Sequence, residues 1–468
     1  MKESTMAPLS SLPLTSVTGN WVRTLQNNTA SNQVNDPNYF ADNPQILIAE
    51  STPVKFSVGT GNQILTSIIP TCLDATEELI IVTCFWAKST SQEAISSMLE
   101  ELSTRAISRN QRIHVKLCFS SRSITQKLFQ TSSLDGKVYP SDSWVGLGLP
   151  DPSRLSGLEM VVKSIFVRPF SVMHPKFVLI DRKRAFMPSC NVSWESWFEG
   201  CIEMQGGICD NLFHFWNRFW SRGGAELATV LPIRESSLEP GANVLRPPVQ
   251  DHDLINYRSF GSANSMTTIL LPSPHHTNPK FAPLSSSHPP PTPLNAFLLE
   301  TINSATRCIY MQTPNLTSQP VISAVLSALQ RGVSITLVTS SRLMIIEQIV
   351  TAGTITEFEV WKLQRRYNTL LTQYSNSDPE RQLLKPGALK VGYYHARAYG
   401  EEGKEPVKSH LKLTIIDEEI VVLGSGNMDR ASWYTSQELG VALFGKEIAE
   451  SIWECVYDSL ADRVSYTT

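Results

Sequence analysis

Two stretches of this chain, "HPKFVLID" at 174–181 and "HLKLTIID" at 410–417, follow one pattern: a histidine, a lysine two residues on, an apolar run, then an aspartate. One such stretch arises by accident in roughly one chain in fifty of this length, so a single copy says little. The agreement continues past it at a constant offset of 236: Ser189 with Ser425, Asn191 with Asn427, Ser196 with Ser432, Trp197 with Trp433. It also extends upstream. "ATEELIIVTCFW" (75–86) parallels "ATRCIYMQTPNL" (305–316), "SQEAISSMLEEL" (91–102) parallels "SQPVISAVLSAL" (318–329), and "HVKLCFSSRS" (114–123) parallels "SITLVTSSRL" (334–343). A chain with this internal repeat builds one unit twice.

Each copy reads β-α-β. Ile95, Met98, Leu99 and Leu102 recur at helical spacing, as do Ile322, Val325, Leu326 and Leu329, between two apolar strand-like runs. That order implies a right-handed parallel crossover and a sheet covered by helices. The copies then diverge, into an irregular excursion at 135–159 and a charged amphipathic helix at 355–374. The segments 121–160 and 350–408 are expected to line the entrance to any site. The reading divides the chain into an N-terminal extension (1–49), a first domain (50–235), a Pro-rich linker (236–295) and a second domain (296–468).

A length of 468 residues suits two domains, and 41% hydrophobic against 18% charged residues is the balance of a folded chain. A net charge of −3 excludes a globally basic nucleic-acid binder. The eight cysteines form no CxxC pair and several sit in apolar runs, so buried free thiols are expected rather than disulfides or zinc. His275 and His276, in a Pro-rich stretch, read as solvated. No run reaches the roughly 18 apolar residues of a membrane span and no secretory leader is evident. The expectation is an intracellular protein, cytoplasmic or peripherally membrane-associated.

Residues i and i+2 of a strand share a face, so His174 projects with Lys176 and His410 with Lys412. If the halves pack about a pseudo-twofold axis, both pairs meet in one pocket, joined by Asn191 and Asn427. Lysines and amides are donors around an anion, and two imidazoles supply a nucleophile and a general acid for displacement at phosphorus.

In these residues the chain resembles the phospholipase D superfamily, whose members carry two HxKx4D motifs, each followed by a G/S-x-N segment, here "PSCN" (188–191) and "GSGN" (424–427). The resemblance implies an α/β fold of two pseudo-symmetric α-β-α sandwich domains with one composite active site, in a monomer without metal or cofactor. It implies a metal-independent phosphodiesterase or phosphatidyltransferase working through a phosphohistidine, most readily on phospholipids. A nuclease or nucleic-acid end-processing enzyme, and a non-catalytic interaction protein, are the alternatives. His174 is taken as nucleophile and His410 as acid, with Lys176, Lys412, Asn191 and Asn427 as phosphate clamp. Asp181 and Asp417 complete the motif on the opposite strand face, where a structural role is at least as well motivated. Glu438 is expected to hold the catalytic histidine of the second half. Glu199 is its expected counterpart in the first, with Glu195 and Glu203 as competitors. Ser189, Ser425, Trp197 and Trp433 are candidate substrate contacts. The aromatic run Trp194–Trp220 and a helical face with Trp361, Lys362, Arg365 and Arg366 are read as core and solvated surface, with an apolar substrate wall and headgroup contact as their respective alternatives.

Overall fold

The computed structural model describes residues 16–122, 133–167, 171–222, 254–261, 265–274, 288–376, 384–400 and 404–467. His275 and His276 lie outside them.

The first half begins with helix α1 (Ser16–Asn27) and long strand β1 (Ile48–Gly59). Strand β2 (Glu78–Phe85), helix α2 (Thr90–Ser108) and strand β3 (Ile113–Ser121) then form the expected β-α-β crossover, with β2 and β3 parallel. Ser89 caps α2 by accepting from Gln92 N. Strands β4 (Leu158–Ser164), β5 (Phe177–Ile180), β6 (Arg184–Pro188) and β7 (Trp197–Gly206) follow, and helix α3 (Gly207–Trp220) closes the half. The pairings give the strand order β4-β3-β2-β5-β6-β7-β1.

The chain re-enters through strands β8 (Asn256–Ser259) and β9 (Met266–Ser273), then helix α4 (Pro293–Ser304). Strand β10 (Cys308–Gln312), helix α5 (Gln319–Gln330) and strand β11 (Ser334–Ser340) repeat the parallel crossover. Helices α6 (Ile345–Ala352) and α7 (Thr356–Ser375) precede strands β12 (Leu389–Tyr394), β13 (Lys408–Ser409), β14 (Leu413–Ile416), β15 (Ile420–Gly424) and β16 (Glu438–Phe444). Here the order is β12-β11-β10-β14-β15-β16-β9, which corresponds strand for strand to the first half. The halves join where β1 pairs antiparallel with β9, from Ile48↔Ile269 to Ser51↔Met266.

Alternation explains the layering. On β2, Ile80 and Val82 enter one hydrophobic core while Leu79 and Ile81 enter another; on β5, Phe177 and Leu179 divide from Val178 and Ile180 in the same way. Both sheet faces are therefore covered, as the continuous apolar runs of these strands require. Most of the aromatic run is core: Phe198, Trp216, Phe219 and Trp220 are buried, whereas Trp194 is exposed. All eight cysteines are free, and all but Cys308 are buried.

Two boundaries differ from the sequence reading. The span 236–295 is not linker throughout, because β8 pairs with β1, and β9 is the strand that joins the halves. The N-terminal stretch is packed rather than appended: Trp21 is buried and its indole donates to the Pro293 carbonyl at 3.0 Å, tying α1 to α4. A run rich in Pro and Ser hid the short apolar core of β9, "TILLPS".

The two motif aspartates hold this frame. Asp181 and Asp417 begin the tight turns after β5 and β14, where Asp181, Arg182, Asp417 and Glu418 all have positive φ, between 48° and 58°. The Asp181 carboxylate accepts from the backbone N–H groups of Thr76, Glu77 and Glu78 at 2.8–2.9 Å and from the Thr76 hydroxyl at 2.8 Å. Asp417 does the same for Thr306, Arg307 and Cys308 at 2.8–2.9 Å. Each aspartate thus anchors the entry into a central strand, at the strand end away from its histidine. Their place among the catalytic residues is corrected accordingly.

Burial pushes the Asp417 carboxyl up, but the N–H groups of Thr306, Cys308 and Arg307 outweigh it and hold the group below its ordinary range. Its contribution to stability is therefore full above about pH 4 and is lost as pH falls through the lowered folded value. Asp417→Ala should cost about 1.5–3 kcal/mol in urea unfolding at neutral pH, with kcat of the folded enzyme unchanged. A loss of kcat without loss of stability would return the residue to the chemistry.

Candidate active site

The site lies where strands of the two halves cross. In the first half the backbone before the motif pairs with the second half: His174 N donates to Gln437 O and Gln437 N to Val172 O, both at 2.9 Å. In the second half the arrangement recurs reciprocally. His410 N donates to Phe198 O at 2.9 Å and Val407 N to Ser196 O at 2.8 Å, within a parallel pairing of β13 with β7. Gln437 precedes Glu438, and Phe198 precedes Glu199. Each pairing therefore sets a histidine beside a glutamate of the other half.

His174 Nδ1 lies 2.7 Å from Glu438 Oε2, and His410 Nδ1 lies 2.8 Å from Glu199 Oε1. The sequence reading placed each glutamate with the histidine of its own half; in the structure each is hydrogen-bonded to the histidine of the opposite half. Glu195 lies in the cavity wall, and Glu203 pairs with Arg184 at 2.6 Å, so neither holds a histidine. An ionised carboxylate only accepts, so Nδ1 must carry the proton and Nε2 keeps its lone pair for the cavity.

Both serines stand behind these carboxylates. Ser189 Oγ donates to Glu199 Oε2 and Ser425 Oγ to Glu438 Oε2, each at 2.5 Å. Their oxygens accept in turn from Gly200 N at 2.9 Å and Leu439 N at 3.0 Å. With the single O–H of each donated to a carboxylate, the serines orient the glutamates and keep no proton to donate to a phosphate, which differs from the substrate contact expected of them. Trp433 is likewise removed from the substrate contacts: it is buried in the core, and its carbonyl accepts from Asn295. Trp197 keeps its place, with its ring 4.7 Å from the His410 imidazole and its side chain in the cavity wall.

The cavity measures about 200 Å³, and its wall includes His174, His410, Asn191, Asn427 and Trp197. Among the described residues Asn191 Oδ1 and Asn427 Oδ1 are buried without hydrogen-bond partners; being amide oxygens they accept only, so a donor is what would satisfy them, while the amide N–H groups serve an anion. Lys176 and Lys412 are buried outside that wall, and their ammonium groups donate to the carbonyls of His174 at 2.8 Å and His410 at 2.6 Å. Of the expected entrance segments, Ser121 reaches the wall, and Met344 and Glu347, just before 350, also belong to it. Phe85 and Asp429 were missed. Asp429 is buried beside the cavity, accepts from Asn427 Nδ2 at 3.0 Å and caps the following turn through Ser432 N at 2.8 Å. Its signal was present in "GSGNMD", but Ser193 occupies the matching position in the first half, so the repeat could not expose it.

The electrostatics follow from burying four charged groups together. Burial lowers His174, opposed by Glu438 and assisted by Lys176 and Lys412. His410, more deeply enclosed, is lowered to about 4 by burial against the opposing pull of Glu199. Burial likewise brings Lys412 to about 7. Glu199 and Glu438 are pushed up by burial but pulled further down, chiefly by His410 and His174 respectively. Burial therefore favours the neutral imidazole at neutral pH, while the histidines and lysines beside Glu199 and Glu438 favour the ionised form of both carboxylates.

Residues 298–456 match the family described as cardiolipin synthase, PLD-like domain. Over that stretch, in its second half, the chain carries a phospholipase D-like domain. Its fold resembles phosphatidylserine synthase of Haemophilus influenzae Rd KW20, with a TM-score of 0.55 and 12% identity over 91% of this chain and 90% of that one. Nuc of Salmonella typhimurium, a phospholipase D family member, is similar over 43% of this chain and 97% of its own (16% identity, TM-score 0.28). Polyphosphate kinase of Porphyromonas gingivalis is similar over 86% of this chain and 50% of its own (10% identity, TM-score 0.44). A search of curated proteins by sequence finds no significant match.

Glu438→Gln or Glu199→Gln should lower kcat by about 10²-fold or more with a folded far-UV spectrum, because the amide no longer fixes the tautomer. Ser425→Ala should lower kcat modestly and leave KM unchanged. A large rise in KM would instead place the hydroxyl on substrate.

Proposed function

We propose that the chain is a phosphodiesterase or phosphatidyltransferase of phospholipids, working through a covalent phosphohistidine without a metal ion. The observation that carries this reading is the pair of imidazoles facing one cavity, each with Nδ1 engaged by a carboxylate from the opposite half.

His174 is the more open of the two, its side chain 13% exposed against 3% for His410. We assign it the attack on phosphorus through Nε2. The bound phosphodiester brings its negative charge between the imidazoles, which favours protonation of His410 and makes it the donor to the leaving alcohol. Water or an acceptor alcohol then gives its proton to His410 and displaces the phosphoryl group from His174. Asn191, Asn427 and the two lysines stabilise the charge on the phosphoryl oxygens. Glu199 and Glu438 fix the rings and stabilise each imidazolium as it forms. Both half-sites lie in one chain, so the monomer suffices.

Phospholipid is favoured as substrate by the matched family's description and by the chain's mildly acidic balance, which offers little attraction to nucleic acid. His174→Ala and His410→Ala should each abolish turnover of phosphatidylcholine or phosphatidylglycerol, and EDTA should leave the wild type unaffected. Cleavage of single-stranded DNA with no action on lipid would overturn the substrate, and EDTA inhibition reversed by a divalent ion would overturn the metal-free mechanism. Because Lys412 is held near 7, its charge is lost as pH rises, so kcat/KM should bend downward above about pH 7. Lys412→Arg should move that bend upward, and an unmoved bend would exclude Lys412 as its source.

A further inference from the structure

Helix α6 is turned inside out. Its Gln348 is buried, with Nε2 donating to Asn315 Oδ1 at 3.0 Å and the Leu343 carbonyl at 2.6 Å, and Oε1 accepting from Thr356 N and Oγ1 at 2.8 Å. Its apolar residues face outward: Ile346 is 80% exposed, Ile349 53% and Val350 39%. A single exposed isoleucine needs no explanation, but a helix that buries its glutamine and presents its isoleucines reverses the usual arrangement in water.

The helix also stands at the mouth of the active site. Met344 and Glu347 form part of the cavity wall. Trp194, 63% exposed, lies edge-on against Phe85, another wall residue, with ring centroids 5.9 Å apart. Beyond α6, residues 353–355 lead into α7, whose first turn carries exposed Phe358 stacked on exposed Trp361 at 5.6 Å. Lys362 Nζ stands 4.3 Å over Phe358 while paired with Glu359 Oε1 at 2.9 Å, and the Arg365 guanidinium stands 5.5 Å over Trp361. Aromatic rings capped by cations, next to bare aliphatic side chains, match the headgroup boundary of a bilayer: rings and aliphatics enter the acyl edge while cations stay with phosphate.

We propose that α6, with Trp194 and the first turns of α7, docks the chain on a phospholipid surface and brings the cavity mouth to the bilayer. The proposal rests on reading the cavity as a phospholipid site. Lipid is the chosen occupant because a diacyl phosphodiester reaches the buried histidines only where its headgroup leaves the bilayer beside the mouth.

The test is flotation with vesicles of phosphatidylcholine containing phosphatidylglycerol, comparing the wild type with Ile346→Ser/Ile349→Ser. The variant should bind about tenfold or more weakly, while turning over the soluble diester bis(4-nitrophenyl) phosphate at the wild-type rate. Ile346→Trp, which keeps an apolar side chain, should bind at least as well as the wild type. Equal binding by the serine variant, or none by the wild type, would overturn the docking face. A wild-type dimer that the serine variant dissolves would assign the face to a second copy and also overturn it. Vesicle binding without lipid turnover would support the face and remove the substrate reading. Turnover of dispersed short-chain lipid without vesicle binding would do the reverse.

Discussion

The hydrogen bond between each imidazole and the glutamate of the opposite half is the interaction on which the site depends. Neither half holds a complete unit of imidazole and carboxylate, so the reacting groups exist only when the halves are docked. The backbone enforces the exchange, because His174 N binds Gln437 O and His410 N binds Phe198 O, one residue before each glutamate. Burying two histidines, two lysines and two glutamates together would be costly for any of them alone, and it is tolerated because charges and donors are matched within the cluster. The serines behind the carboxylates complete the matching.

The frame around this cluster is held by other members of the same motif. One end of the motif supplies histidine and lysine to the crossing of the halves, while the other ends in an aspartate that binds the backbone entering β2 or β10. A strand of four buried residues joins the lysine to the aspartate, so the anchored turn is coupled to the reactive end through a short, packed segment. This gives a physical reason for the fixed spacing in HxKx4D: the motif is a strut, reactive at one end and anchored at the other.

Much of this was legible from the repeat. The crossovers, the shared face of His174 and Lys176, and the pairing of motif with downstream Asn and Glu are properties of period and spacing, which a sequence carries directly. The exchange of Glu199 and Glu438 between halves was not legible, because a residue's spacing within its own half says nothing about which histidine docking brings beside it. Ser189 and Ser425 looked like phosphate donors since a hydroxyl beside an anion site has two destinations, and only coordinates choose the carboxylate. Strand β9 was obscured by its Pro- and Ser-rich flanks, and the reversed face of α6 by its shortness, since two turns with five apolar residues read equally well as core.

Exchange of partners between the halves is tested most directly by nitrogen NMR of the histidine rings in protein labelled with 15N-histidine. Glu438→Gln should shift the Nδ1 resonance of His174 and leave that of His410 in place, and Glu199→Gln should do the opposite. If each substitution instead moved the histidine of its own half, Glu438 that of His410 and Glu199 that of His174, the crossed arrangement would be contradicted.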